Sequence, residues 1–247
     1  MTLQEFFQEN PRVALGFSGG VDSSYLLYAA LQAGADVRPY YISTVFQPAF
    51  EREDAMRLAA DLGVEVTVVP YDILSHPEVA SNPSDRCYHC KTALFGALRD
   101  RAAADGYTVL IDGTNASDEA GDRPGMRALA EMSVRSPLRE CGLTKADVRR
   151  LSREAGLFTW DKPAYACLST RIPTGRPVEA GLLARVEVAE AALFAMGFSD
   201  FRVRVYGEAA RLQFRAADLA SVVKRREEIL AGVQPHFETV LLDLQPR

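Results

Sequence analysis

Positive charge is in short supply in this sequence: 28 lysines and arginines face 33 aspartates and glutamates, and the net charge is −5. A chain of that sign has no overall attraction to nucleic acid, which counts against a tRNA substrate even though a local basic patch is compatible with it. Histidine occurs three times and tryptophan once in 247 residues. His89 lies between two cysteines, where its side chain diverges from theirs, and His76 and His236 have no partners in sequence, so none is read as catalytic. No run of about 18 apolar residues is present, which excludes a membrane-spanning helix by hydropathy. The opening "MTLQEFFQENPRVAL" lacks a cationic segment followed by an apolar one, and the expectation is a cytoplasmic protein. Four cysteines without a secretion signal point to thiols, metal ligands or catalytic groups rather than a disulfide framework. No GxxxxGK[ST] string occurs, so a Walker-type kinase or GTPase has no support. Internal repeats and low-complexity tracts are also missing.

What is there is a well-patterned α/β chain, 48% hydrophobic and long enough for one sizeable core and a smaller unit. Apolar Val13 to Phe17 reads as a buried strand, and Ser23 to Ala33 as a helix ended by Gly34. Strand and helix patterns then alternate: Val37 to Thr44 apolar, Glu51 to Leu62 helical, Val64 to Pro70 β-branched, Lys91 to Asp105 helical, Val109 to Ile111 apolar, Thr144 to Ala155 helical. This alternation predicts a parallel sheet flanked by helices, with ligands at the carboxyl ends of its strands. After Gly156, "LFTWDKPAYACLSTRIPTGRPV" has three prolines and no clear period, as a functional connection would. From Glu179 a helix to Met196, strands Phe201 to Tyr206 and Ala210 to Phe214, a helix Asp218 to Leu230 and a strand Glu238 to Asp243 predict a small α+β domain. The boundary is placed at Pro177, giving domains 1–177 and 178–247.

The first strand breaks into "SGGVDSS" before its helix. Gly19 and Gly20 let the backbone turn sharply and present bare N–H groups beside the unpaired amides and positive end of the helix, so the bend is built to hold an anion. An ordinary βα turn is the bland alternative. The string Ser18-Gly19-Gly20-Val21-Asp22-Ser23 resembles the PP-loop of ATP pyrophosphatases, which implies ATP binding and cleavage between the α and β phosphates. A second strand end reads "LIDGTNASDEAGDRPG". Its Gly113-Thr114-Asn115 turn is similar to the GTN segment near the nucleotide in adenylating PP-loop enzymes, with Asp118 or Glu119 as candidate Mg²⁺ ligands.

Cys87 and Cys90 stand in "SDRCYHCKTALF", just before the helix expected from Lys91, and Cys167 follows "KPAYA". The CxxC alone is compatible with a zinc half-site, a redox pair, part of an iron–sulfur site, or no function. Cys141 is read as structural or incidental. Arg202 and Arg204 alternate onto one strand face as candidate anion contacts, the alternative being a solvated cationic face. Arg171, two residues after Ser169, offers planar donors to phosphate or carboxylate, and Glu190 is a candidate metal or substrate contact. Lys224-Arg225-Arg226 with Glu227-Glu228 reads as an exposed helix face.

In order along the chain, the PP-loop, "SDRCYHCKTALF", "GTNASD", "SPLRE" with "LTKADVRRL", "WDKPAYACLSTRIPTG" and "FRVRVYGEAARLQF" resemble the LarE family of ATP-dependent sulfur transferases over nearly the whole length. The resemblance implies the fold of adenine nucleotide α-hydrolases. It further implies adenylation of a carboxylate of pyridinium-3,5-biscarboxylic acid mononucleotide and conversion to a thiocarboxylate, in assembly of the nickel-pincer nucleotide of lactate racemase. ATP would be held by Ser18, Gly19, Gly20, Asp22, Ser23, Gly113, Thr114 and Asn115, with Asp22 and Cys167 catalytic, and Mg²⁺ by Asp118 or Glu190. Arg171, Arg202 and Arg204 would bind substrate. Two sulfur sources are implied: sacrifice of Cys167, or a [4Fe–4S] cluster on Cys87, Cys90 and Cys167 carrying an extra sulfide, the three cysteines matching the second. A PP-loop tRNA thiolase and an amidating ligase of the NAD or GMP synthetase kind are the alternatives. The expected partners are the small nucleotide substrate and further copies of the chain, with no nucleic acid and no membrane.

Overall fold

In the computed structural model, residues 1–118 and 124–247 are described. The α-helices, in order, are α1 (Leu3–Glu9), α2 (Val21–Gln32), α3 (Ala49–Asp61), α4 (Pro77–Ala80), α5 (Arg86–Ala104), α6 (Pro124–Glu131), α7 (Pro137–Glu140), α8 (Lys145–Glu154), α9 (Ala180–Ala195), α10 (Leu219–Lys224) and α11 (Arg226–Val233). The strands are β1 (Arg12–Gly16), β2 (Asp36–Ser43), β3 (Thr67–Pro70), β4 (Leu110–Ile111), β5 (Arg202–Tyr206), β6 (Ala209–Gln213) and β7 (Thr239–Leu242). No described helix is long and apolar enough to cross a membrane.

The chain divides into two compact units, residues 1–73 with 85–164 and residues 74–84 with 165–247. In the first, β3-β2-β1-β4 form a sheet whose neighbours all run parallel. Alternate residues of β1 feed two different cores, as period-2 geometry requires. Val13 and Leu15 join Leu26, Leu27, Leu58, Leu138 and Val148, while Ala14 joins Tyr40, Leu98 and Ala102. Helices therefore cover both faces, and the strand ends point their loops toward one edge.

The second unit carries β5-β6-β7, with β5 and β6 antiparallel and β6 and β7 parallel. This division differs from a boundary at Pro177. The cysteine loop belongs with α9 because Arg171 is buried against Glu190, and residues 74–84 join it through backbone bonds Gly175 N to Asn82 O (2.8 Å) and Val178 N to Ala80 O (2.7 Å). Buried Asn82, at φ +57°, donates from Nδ2 to Pro173 O and Arg176 O at 2.9 and 3.0 Å. Asparagine tolerates that left-handed backbone, but nothing in the local pattern signals so distant a partner.

Three expected elements change. The helix predicted from Lys91 begins at Arg86, which puts Cys87 and Cys90 inside its first turns rather than ahead of it. The loop before α2 is shorter, and Asp22 sits in the helix's first turn. The helix predicted over Asp218 to Leu230 breaks at Arg225 (φ −99°, ψ 20°), whose guanidinium donates to Met196 O at 2.8 Å and pairs with Glu228.

Candidate active site

The phosphate loop follows β1 and is ordered by its own short side chains. Ser18 N and Oγ lie 3.3 and 3.1 Å from Ser23 Oγ, and Ser23 Oγ donates to Gly20 O at 3.2 Å. Gly19 has φ +71°, and a Cβ there would fall 2.6 Å from Ala55 Cβ on α3, so conformation and space both demand glycine. Gly20 is different: it is the N-cap of α2 at φ −76° and supplies no side-chain acceptor. The first-turn amides of α2 consequently keep their donors for a ligand. Gly113 closes the GTN turn onto the same helix end, where an added Cβ would meet Ser23 N at 2.9 Å.

That turn is internally bonded. Buried Asp112 accepts from Thr114 Oγ1 at 2.5 Å and from Ser136 Oγ at 2.7 Å, and Asn115 N donates to Asp118 Oδ2 at 2.9 Å. Asn115 Nδ2 reaches Asp22 Oδ1 at 3.3 Å. On the other oxygen of Asp22 stands Lys145 Nζ at 2.5 Å, from the first residue of α8. In sequence the string "LTKADVRRL" carries the family resemblance without marking this lysine. Its one local signal is its place directly after the capping threonine Thr144, where the side chain projects from a helix start.

Magnesium takes one or two carboxylates together with phosphate oxygens. Asp22, in the first turn of α2 beside the phosphate loop, is the carboxylate of fitting chemistry. Asp118 has one oxygen committed to its own turn, and Glu119 lies outside the described residues. Glu190 is not a metal ligand in this arrangement. It is almost fully buried and accepts from Arg171 Nε (2.9 Å) and Nη2 (3.0 Å), Val203 N (2.9 Å) and the Tyr165 hydroxyl.

The same contacts correct the expectation for Arg171. Its remaining donors go to Ala166 O (2.8 Å) and Thr170 Oγ1 (2.9 Å), so the guanidinium holds the cysteine loop instead of offering a fork to substrate. Cys167 then sits at the head of the 3₁₀ turn Leu168–Arg171 with Sγ 3.0 Å from Ser169 Oγ, which makes the hydroxyl, not Arg171, the group beside the sulfur. Arg202 and Arg204 do share a strand face, but neither is fully solvated. Arg202 is buried and donates to Phe201 O at 2.5 Å. Arg204 donates to Thr170 O at 2.8 Å and to Gln213, and stands directly opposite Arg211. Around this face Arg171, Arg202, Arg204, Arg211 and Arg247 outnumber Glu190, Asp200 and Asp243. Burial, then the neighbouring cations, pulls Arg202 down to about 10 and lowers Arg204.

Cys87 is exposed and Cys90 half-buried, one helical turn apart in the first unit, while Cys167 belongs to the second. Among the described residues, no three or more His, Cys, Asp or Glu are grouped to hold a metal ion. Cys87 and Cys90 are two thiolates on one helix, and a three-cysteine cluster needs a third.

A parallel sheet with a glycine-turned anion loop at the end of its first strand, and a GTN turn beside it, has the PP-loop fold. No protein-family model matches the chain. It is 34% identical over 246 residues to the pyridinium-3,5-bisthiocarboxylic acid mononucleotide synthase of Lactiplantibacillus plantarum, covering 98% of this chain and 89% of that one. An uncharacterised protein of Synechocystis is 37% identical over 90% of this chain and 83% of its own length. The tRNA-specific 2-thiouridylase of Thermotoga petrophila is 26% identical over 61% of this chain and 54% of its own. The chain belongs to the LarE family, that of the Lactiplantibacillus synthase.

Proposed function

We propose that this protein is an AMP-forming sulfur transferase that adenylates a carboxylate of pyridinium-3,5-biscarboxylic acid mononucleotide and converts it to a thiocarboxylate, the step that a nickel-pincer nucleotide requires. The observation that carries the reading is the constellation of Asp22, Asn115 and the Gly19 turn around the bare start of α2, in a chain related over 98% of its length to a synthase of the corresponding bisthiocarboxylic acid. A carboxylate resists sulfur attack because its charge is delocalised and oxide is a poor leaving group, whereas an acyl-adenylate has AMP to expel. The loop amides hold the phosphates, and magnesium, when bound, supplies charge neutralisation near Asp22.

The substrate's own phosphate finds a fitting counterpart in the cationic face of β5 and β6. Arg202 and Arg204 stand among further arginines, and burial first and those cations second lower both, so a dianionic monoester there would meet concentrated positive charge. Cys167, in the loop fixed by Arg171, is the sulfur nucleophile of this reading. Its thiolate attacks the acyl carbon, AMP leaves, and loss of the Cys167 α-proton with cleavage of its Cβ–S bond delivers the thiocarboxylate and leaves dehydroalanine. Assembly into a homo-oligomer is part of the same reading and is checked by light scattering.

Exchange of labelled pyrophosphate into ATP, run with the biscarboxylic mononucleotide and separately with tRNA, tests the assignment. Exchange only with the mononucleotide, followed by loss of one sulfur and its hydrogens at Cys167 in the intact mass, is expected. Exchange driven by tRNA would make the chain a thiolase. An unchanged mass with repeated turnover, lost in Cys87→Ala or Cys90→Ala after anaerobic reconstitution, would assign the sulfur to a cluster instead.

A further inference from the structure

Asp22 places a negative charge in the first turn of α2, where the amides collect an anion, and like charges at such range repel unless a cation stands between them. Apart from Asp22, Ser18 to Ser24 carries no ionisable charge, so the loop itself contains no cation. The structure brings one from 123 positions away, with Lys145 Nζ 2.5 Å from Asp22 Oδ2. The lysine's backbone is held independently of that contact. Its N–H donates to Ser117 Oγ at 2.9 Å, and the reciprocal bonds of Thr144 and Asp147 fix the start of α8. The ammonium ends a flexible stem with its side chain 35% exposed, so it can change partner while its backbone stays in place.

We propose that Lys145 is the cationic arm of the nucleotide site, moving from Asp22 to the pyrophosphate portion of ATP as the adenylate forms; this rests on the nucleotide reading above. In that step a carboxylate oxygen bonds to the α-phosphorus, the bond from that phosphorus to the oxygen bridging to the β-phosphate breaks, and the electron pair departs with pyrophosphate. Negative charge grows on the leaving group, where an ammonium acts more strongly in the transition state than in the ground state. Asp22, relieved of its lysine, becomes available to a cation carried with the phosphates.

Calorimetric titration with inorganic pyrophosphate and with ATP, on the full chain and on Lys145→Met and Lys145→Arg, is combined with substrate-dependent pyrophosphate exchange. Lys145→Met is expected to weaken pyrophosphate binding about ten- to a hundredfold, the range for losing a hydrogen bond to a charged group. It should lower kcat for exchange more than it raises KM for ATP, and Lys145→Arg should recover part of both. Unchanged pyrophosphate affinity in Lys145→Met overturns the proposal and leaves the nucleotide reading standing; a wild-type chain that binds neither pyrophosphate nor ATP overturns both. In Asp22→Asn/Lys145→Met, binding that stays weak supports the proposal, whereas restored binding shows that the ammonium serves only to neutralise Asp22 and overturns it.

Discussion

In the phosphate loop, six consecutive residues supply the turn, the bare amides and the carboxylate, and the donors are backbone groups that any sequence of the right shape would present. The second unit instead buries long charged side chains from far-apart segments: Arg171 from the cysteine loop, Glu190 from α9, Arg202 and Arg204 from β5. The first arrangement depends on the absence of side chains, the second on the burial of charged ones. A loop made of glycine and serine loses ligand affinity before it loses the fold, while a buried guanidinium–carboxylate pair is held in the fold itself. The difference predicts opposite mutational signatures for the two regions.

The largest effect is expected at Glu190. Glu190→Ala leaves Arg171 buried without its bidentate partner and should cost about 3–5 kcal/mol in urea unfolding, whereas Arg171→Met/Glu190→Met should recover much of that loss. If the single substitution costs no more than an exposed pair, the contrast between the regions fails. Next comes the loop: Gly19→Ala should abolish pyrophosphate binding with a stability loss of about 1–3 kcal/mol, because it meets Ala55 and a left-handed backbone together. Gly20→Ala, at φ −76°, should leave stability near wild type, a distinction that calorimetry and thermal melts on the two variants check directly.

Arg202→Met should move stability and binding in opposite directions. Removing a buried cation crowded by Arg171 and Arg247 is expected to stabilise the ligand-free chain by about 1 kcal/mol or more, while titration with the mononucleotide shows weakened binding. A loss of stability instead would mark Arg202 as structural. The smallest effect concerns Glu51, which burial pushes above 4.5 against the opposing pull of Lys162, 3.3 Å away. A carboxyl raised in the folded state binds its proton more tightly there, so its contribution to stability falls as pH rises from 4.5 through the raised value. Glu51→Gln should flatten that part of the stability profile, with a difference at neutral pH within about 1 kcal/mol.

Much of the first unit was legible because its determinants are local. Glycine pairs, a strand pattern and a helix start are properties of adjacent residues, and Thr144 capping α8 through Asp147 follows from four letters of sequence. Lys145 was not legible, since its contact with Asp22 exists only after α2 and α8 pack together. Arg171 and Glu190 were legible as chemically charged but not in their role. Their spacing of 19 residues says nothing of a shared interior, and each looked available to a ligand until the other was found against it.

By itself the sequence determined the alternating architecture, the glycine-bearing turn between β1 and α2 and the family, because hydrophobic period, glycine placement and motif order are written residue by residue. Tertiary structure alone decided which charges remain for chemistry. Whether an arginine or glutamate meets a ligand or a buried partner depends on what folding sets within about 3 Å of it, and that distance is not a property of any stretch of chain.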